Sequence, residues 1–382
     1  MNRYKILIIL IILIMLTSCF ISCMGNNDLK VKNYSTLLYF NANIDCQLVL
    51  DSEISEDVCD TAWGQIKEKL DTLEGHLSVY KTSSEVSIFN NAAADSLIEV
   101  SSDTFLAFSY AIKCYSNTNG AYNPAVYLLS DLWGFTNRFH DGSYVKEEPY
   151  DRDNYLEQLP DEKYINAFLQ LTNFGDVNVI QENNRYFVYK PKKTVVVDGV
   201  EYTMKIDLGG IGKGLACLEM KKIFANNNIT KGYVSVGSSS ILALQKSEED
   251  LWLIKYRHPR KDGEYYLSSY VADYSISTSG DYENYYEYNG KRYCHIINPF
   301  TGYPISTNII TSTVIMENPA YADAYTTALC VMGKEQAIEF IRKESDSYAF
   351  VYYDSEQDKY IIYTNASYDV LDTSMQVEQI WV

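Results

Sequence analysis

Apolar positions change period several times along this chain, and each change marks an element. Val58, Ala62, Ile66, Leu70, Leu73 and Leu77 recur at steps of four and three, predicting an amphipathic helix that ends near Gly75. A second helix is predicted over 102–116, with Phe105, Phe108, Ile112 and Tyr115 on its apolar side. A polar loop separates the two. The run LLYFNANIDCQLVL at 37–50 predicts a strand, one arm of a hairpin. Short strands are predicted at 187–189, 194–197 and 204–207, then a helix opened by glycines at 212–225. Strands at 233–236, 241–244, 252–256, 265–270 and 274–278 follow at meander spacing. Helices at 319–332 and 335–342 and a hairpin of 348–353 with 360–363 close the chain. Residues 136–165 are polar and aperiodic, as in a surface insertion with some helix. Runs of strands with helices interspersed belong to the α+β class.

Composition adds a core and removes some partners. Of 382 residues, 47% are apolar, enough to bury a large interior and to exclude disorder as the main state. The 35 tyrosines suit half-buried strands, and also sites that stack aromatic ligands. The formal charge of −18 repels phosphate backbones, so a nucleic-acid partner is not expected. An acidic chain that binds a phosphorylated ligand needs a local device against repulsion, and a divalent cation is one.

The N-terminus carries its own signal. Arg3 and Lys5 precede an apolar run over 6–16 that is short for a membrane span and has the length of a signal sequence. Leu16-Thr17-Ser18-Cys19 resembles a bacterial lipobox. The expectation is a signal peptide over 1–18, a lipid-bearing Cys19, a polar tether over 19–36 and a single catalytic domain over 37–382. The body would then sit outside the cytoplasm, anchored to the membrane. No CxxC pair occurs among the eight cysteines; the six beyond the lipobox region read by default as buried thiols, although an exported chain could pair some of them.

Five segments can carry chemistry. In Lys205-Ile206-Asp207-Leu208-Gly209-Gly210-Ile211-Gly212-Lys213-Gly214, a strand ends in an acid and glycines open a helix. Such a turn lets backbone approach an anion, or serves packing alone. On the helix at 319–332, Asp323 and Thr327 are four apart and share a face, as hard oxygen ligands for Mg²⁺ or as a solvated face. His295, one of four histidines, lies between a strand and a turn rich in Asn, Pro and Gly, where it can move a proton or cap a turn. Ser277-Thr278-Ser279-Gly280 precedes it. Ser78-Val79-Tyr80-Lys81 with 84–90, and Gly120-Ala121-Tyr122-Asn123-Pro124-Ala125 before Trp133, offer aromatic faces and polar hooks.

In order and spacing, these five segments resemble the ApbE family, the FAD:protein FMN transferases, from about Phe40 to Gly333. The resemblance implies a two-lobed single catalytic domain, T-fold-like, with largely antiparallel sheets and packed helices. It implies a Mg²⁺-dependent enzyme that cleaves FAD, releases AMP and places FMN on a Thr or Ser of a partner flavoprotein, here an exported or membrane one. Carried over by motif, Tyr80 flanks the flavin, and Ala121, Tyr122 and Asn123 line the dinucleotide. Asp207 and Lys213 contact FAD, Ile297 touches the adenine side, and Asn43 stands where the family has a Met. The Gly210 carbonyl, Asp323, Thr326 and Thr327 surround the metal, with Thr326 at a position that is a carboxylate in some members. His295 is the base that takes the acceptor's proton.

The chain departs from the family at three places. Asn43 replaces that Met, Asn298 replaces an Asp, and Gly237-Ser238 replaces a Gly-Gly pair. The two asparagines are expected to weaken FAD retention or to favour water over the acceptor. Two other readings accompany the transferase: an FAD pyrophosphatase giving FMN and AMP, and a lipid-anchored flavin carrier without catalysis.

Overall fold

Nine strands, taken in chain order, lie side by side in the main sheet: β1 (Val31–Leu37), β2 (Asn43–Val49), β3 (Gly232–Val236), β4 (Ser240–Ala243), β5 (Tyr274–Gly280), β6 (Ile309–Met316), β7 (Ser347–Asp354), β8 (Lys359–Thr364) and β9 (Gln376–Gln379). Every pairing in it is antiparallel except β8 with β9. The computed structural model describes residues 30–37, 39, 42–136, 159–245 and 251–381. The expected leader and Cys19 lie outside them. Among the described residues, no helix is long and apolar enough to cross a membrane.

Helices cover one face of the sheet: α1 (Glu56–Leu77), α2 (Glu85–Asn91), α3 (Ser102–Asn117), α6 (Gly209–Asn226), α7 (Pro319–Met332) and α8 (Lys334–Ile341). Two shorter ones, α4 (Tyr127–Leu132) and α5 (Glu162–Leu169), belong to a second lobe. Ser55 caps α1, Ser101 caps α3 and Asn318 caps α7, each accepting from first-turn amides that have no partner inside the helix. The opposite face of the sheet is closed by the antiparallel pair Trp252–Arg257 and Tyr265–Val271, whose Trp252, Ile254 and Leu267 pack with Ile276 and Val351. The second lobe has its own core, in which Trp133 and Phe135 stack against Tyr293 and Tyr286 of the hairpin 285–294. These observations make the fold α+β with largely antiparallel sheets.

Several sequence expectations need correction. Residues 31–36 are not tether. They are β1, in register with β2 over seven pairs, and Tyr34 stacks on Trp63 at 5.0 Å while its hydroxyl donates to Asp60 at 2.7 Å. Helix α1 ends at Leu77, two residues past Gly75 and near the expected end. Residues 204–207 form no strand. Their polar groups are satisfied otherwise: the Asn90 side chain accepts from Ile206 N at 2.8 Å and donates to Ile206 O at 2.9 Å, and Asp207 N donates to Pro124 O at 2.9 Å. Strand β6 went unforeseen, and it is central and buried at all eight positions. The six cysteines from Cys46 to Cys330 are buried free thiols, as expected.

Candidate active site

Two helices set the site. Helix α6 begins at the glycine turn after Asp207, and α7 lies against it so closely that a Cβ on Gly214 would meet Pro319 O at 2.3 Å and Asp323 Cβ at 2.8 Å. Only glycine allows this approach. It lets Gly214 N donate to Asp323 Oδ2 at 2.9 Å. The ordinary acceptor of that amide would be Gly210 O, four residues back. The bond to Asp323 therefore competes with the helix ladder at the carbonyl expected to face a metal.

Asp323 is buried, with Ser240 Oγ 3.4 Å from Oδ1. Burial raises its carboxyl above the ordinary range, opposed by Lys213 and by the donors from Gly214 and Ser240. One turn later, Thr327 Oγ1 lies 3.7 Å from where a Gly210 Cβ would stand. Ser279 Oγ, from β5, is 3.5 Å from Thr327 Oγ1 and 2.7 Å from Thr326 Oγ1. Thr326 Oγ1 donates its single proton to Asp323 O at 2.7 Å, so Ser279 donates to Thr326 and keeps its own lone pairs. Thr326 thus sits behind the oxygens and orients them. The sequence alone assigns Ser279 no role. Its side chain faces α7 because alternate residues of β5 point to one face.

The groups here that could hold a cation offer only oxygen: Gly210 O, Asp323, Thr327 and Ser279. That suits a hard cation such as Mg²⁺. Among the described residues, no group of three or more His, Cys, Asp or Glu could hold a metal ion. Tyr122 supplies an independent sign of a missing partner. Its ring reaches within 3.4 Å of the Gly210 Cβ position, and its buried hydroxyl has no hydrogen-bond partner among the described residues. Leaving such a group unsatisfied costs about 1–3 kcal/mol, which a bound ligand can relieve.

The remaining residues divide into two groups. Lys213 sits with its Cδ 3.4 Å from the Gly237 Cβ position, near enough to both Asp323 and His295 to affect their ionisation. Asp207 Oδ1 accepts from Gly209 N at 2.8 Å, and its charge reaches half-buried Tyr80. Ala121 is buried in the main core beside Tyr122. Others do structural work. Asn123 caps the turn at Ala125 and donates to Thr172 O at 2.8 Å. Ile297 packs in the second-lobe core. Asn43 turns its amide to Asp45 at 2.6 Å on the exposed side of β2, while its carbonyl accepts from Gly237 N. Asn298 Oδ1 accepts from Phe300 N and Thr301 N, a turn that needs only the oxygen an Asp would also supply.

His295 lies at the end of the second-lobe hairpin. Its Nδ1 is 3.2 Å from Asn284 O. A carbonyl only accepts, so Nδ1 carries the proton and Nε2 is the basic nitrogen. Burial, helped by Lys213, pulls its pKa down to about 4, so the ring is neutral at pH 7.

Comparison with known proteins bears on the family and the fold. The family model for the ApbE family matches residues 41–351. The FAD:protein FMN transferase of Escherichia coli (strain K12) is 29% identical over 281 residues, 73% of each chain. That of Vibrio cholerae is 29% identical over 275 residues, 72% of this chain and 74% of the other. Among solved structures, the flavin transferase ApbE from Vibrio cholerae superposes with a TM-score of 0.70 at 23% identity, covering 88% of this chain and 97% of that one. The ApbE protein from Thermotoga maritima gives 0.68 at 24%, covering 90% and 98%. With its family profile matched over most of its length and its fold shared, the chain belongs to the ApbE family.

Proposed function

We propose that the chain is an FAD:protein FMN transferase that moves FMN from FAD to a Thr or Ser hydroxyl of a partner protein. The observation that carries this reading is the convergence of Gly210, Asp323, Thr327 and Ser279 beside the Asp207 turn, with a neutral His295 nearby. Relatives named for this activity support it.

In the proposed reaction the acceptor oxygen bonds to the FMN phosphorus and the pyrophosphate bridge breaks. AMP leaves, and the hydroxyl proton passes to His295 Nε2. A hydroxyl is a weak nucleophile at neutral pH, so an adjacent base with a free nitrogen assists it. Gly210, Asp323, Thr327 and Ser279 would hold Mg²⁺, which when bound offsets pyrophosphate charge in this acidic chain. Thr326 holds Ser279 in place. With Asp323 the single carboxylate among these groups, a bound Mg²⁺ would need further oxygens from the substrate phosphates.

The sequence over 1–19 supports export and lipid anchoring, with the partner outside the cytoplasm. Incubation with FAD, Mg²⁺ and candidate exported flavoproteins, read by in-gel flavin fluorescence, tests the reading. A fluorescent partner band that needs Mg²⁺ is the expected result. Free FMN and AMP without any labelled band would replace transferase by pyrophosphatase.

A further inference from the structure

The hairpin that carries His295 is joined to the main body through a charged clasp outside the metal and dinucleotide residues. Asp281 is the first residue after β5, and its amide donates to Ile310 O of β6 at 3.0 Å. Its carboxylate receives Arg260 in a two-point fork, Nη1 to Oδ1 at 2.8 Å and Nη2 to Oδ2 at 2.7 Å. Arg260 comes from the turn after Trp252–Arg257, on the far face of the sheet. It is itself fixed, because its backbone N donates to His258 Nδ1 at 3.0 Å and Nη1 donates to Pro259 O at 2.9 Å. From the other side, Arg292 brings Nη1 to 3.9 Å from Asp281 Oδ1 while its guanidinium lies 3.9 Å over the Tyr285 ring. Three residues beyond Asp281, Asn284 O accepts from His295 N at 2.9 Å and from His295 Nδ1 at 3.2 Å.

We propose that Arg260 and Asp281 are positioning residues for His295, holding the 281–284 turn so that Asn284 O fixes the ring with Nε2 toward the acceptor. A planar two-point fork restrains direction as well as distance, which a single ammonium contact does not. Loss of the fork frees the turn and the carbonyl that selects the tautomer. Misplacing a base by about an ångström is enough to cost a large factor in rate. Charge matters too. The charged groups near the imidazole are Asp281 and, from α6, Lys213, and Arg260 with Arg292 offsets Asp281. Without Arg260, uncompensated Asp281 raises the pH at which the ring takes up a proton.

The inference rests on the reading of His295 as the base, and a double-mutant comparison separates the two. Arg260→Met, Arg260→Lys and Asp281→Asn are each made in the wild-type chain and in His295→Ala. FMN transfer is measured against FAD concentration and pH, with folding followed by circular dichroism. In the wild-type background Arg260→Met is expected to lower kcat about tenfold, equal to about 1.4 kcal/mol, with KM for FAD within about twofold. The acid limb of its pH profile moves upward, and Arg260→Lys recovers part of the rate. In the His295→Ala background none of the three changes lowers transfer further, because the group they position is gone. Equal losses in both backgrounds, an unchanged kcat, or parallel losses in kcat and FAD affinity overturn the proposal. Should Arg260→Met not fold, Arg260→Lys and Asp281→Asn carry the same comparison. Wild-type protein without transfer, or His295→Ala as active as wild type, removes the base itself and this inference with it.

Discussion

Gly214 N donates to Asp323 Oδ2 across 2.9 Å, between residues 109 positions apart. That bond closes the contact between α6 and α7 and aims the carboxylate expected to meet the metal. It exists because a glycine lets one helix backbone lie against the other. Gly214→Ala places a methyl 2.3 Å from Pro319 O and 2.8 Å from Ala320 Cα. Backbone cannot step aside as a side chain can. The variant should lose about 2–3 kcal/mol, the upper part of the overpacking range, seen as a lower urea midpoint, and should lose metal-dependent turnover. Wild-type stability in Gly214→Ala would mean the helices are further apart.

Asn90 replaces a missing strand partner. Its amide serves both the N–H and the C=O of Ile206, just before Asp207, and Lys190 holds the carbonyls of Phe89, Asn90 and Ala92 around it. Asn90→Ala leaves two buried backbone groups unsatisfied, at a cost of about 2–4 kcal/mol. Urea denaturation measures the loss, and FAD titration by fluorescence should show weaker binding because Asp207 is no longer held.

Ser238 takes a positive φ of 56°, next to Gly237 at 60°. A side chain in that conformation costs about 1 kcal/mol relative to glycine. Ser238→Gly, the family's residue, should therefore raise stability by about that amount. An unchanged melting temperature would show that Ser238 is compensated by a contact of its hydroxyl.

His295 has a folded pKa of about 4 against an ordinary 6.5. As pH falls, the unfolded chain takes up this proton first, so the ring's contribution to stability is intact above 6.5 and is lost toward 4. The rate should follow the folded value, with kcat/KM declining near pH 4 and no break at 6.5. A break at 6.5 that disappears in His295→Gln would place the ring in a wetter setting.

Much of this was legible in the sequence, for local reasons. Helix α7 has a start in Asn318-Pro319 and a stop in Gly333, whose φ is 76°, so its bounds could be read directly. Strand β6 was invisible because it is covered on both faces and shows no alternation. Its Thr311 and Ser312 also look polar until their hydroxyls are seen bonded to Ser279 O and Thr326 O. The site was half legible. Asp323 and Thr327 share a helix face, which spacing reveals. Ser279 joins them only through the packing of β5 on α7, and Asn90 reaches Ile206 from 116 positions away. Contacts of that span leave no periodic trace.

Intact mass of an acceptor protein tests the central claim most directly. The acceptor is incubated with FAD and Mg²⁺, and with either the wild-type chain or Asp323→Asn, which keeps an oxygen for Gly214 N but removes the charge. The account predicts one added FMN phosphoester on a Thr or Ser of the acceptor with wild type, and none with Asp323→Asn or after chelation of the metal. FAD cleaved to FMN and AMP with the acceptor mass unchanged, or an adduct formed equally well by Asp323→Asn, would contradict it.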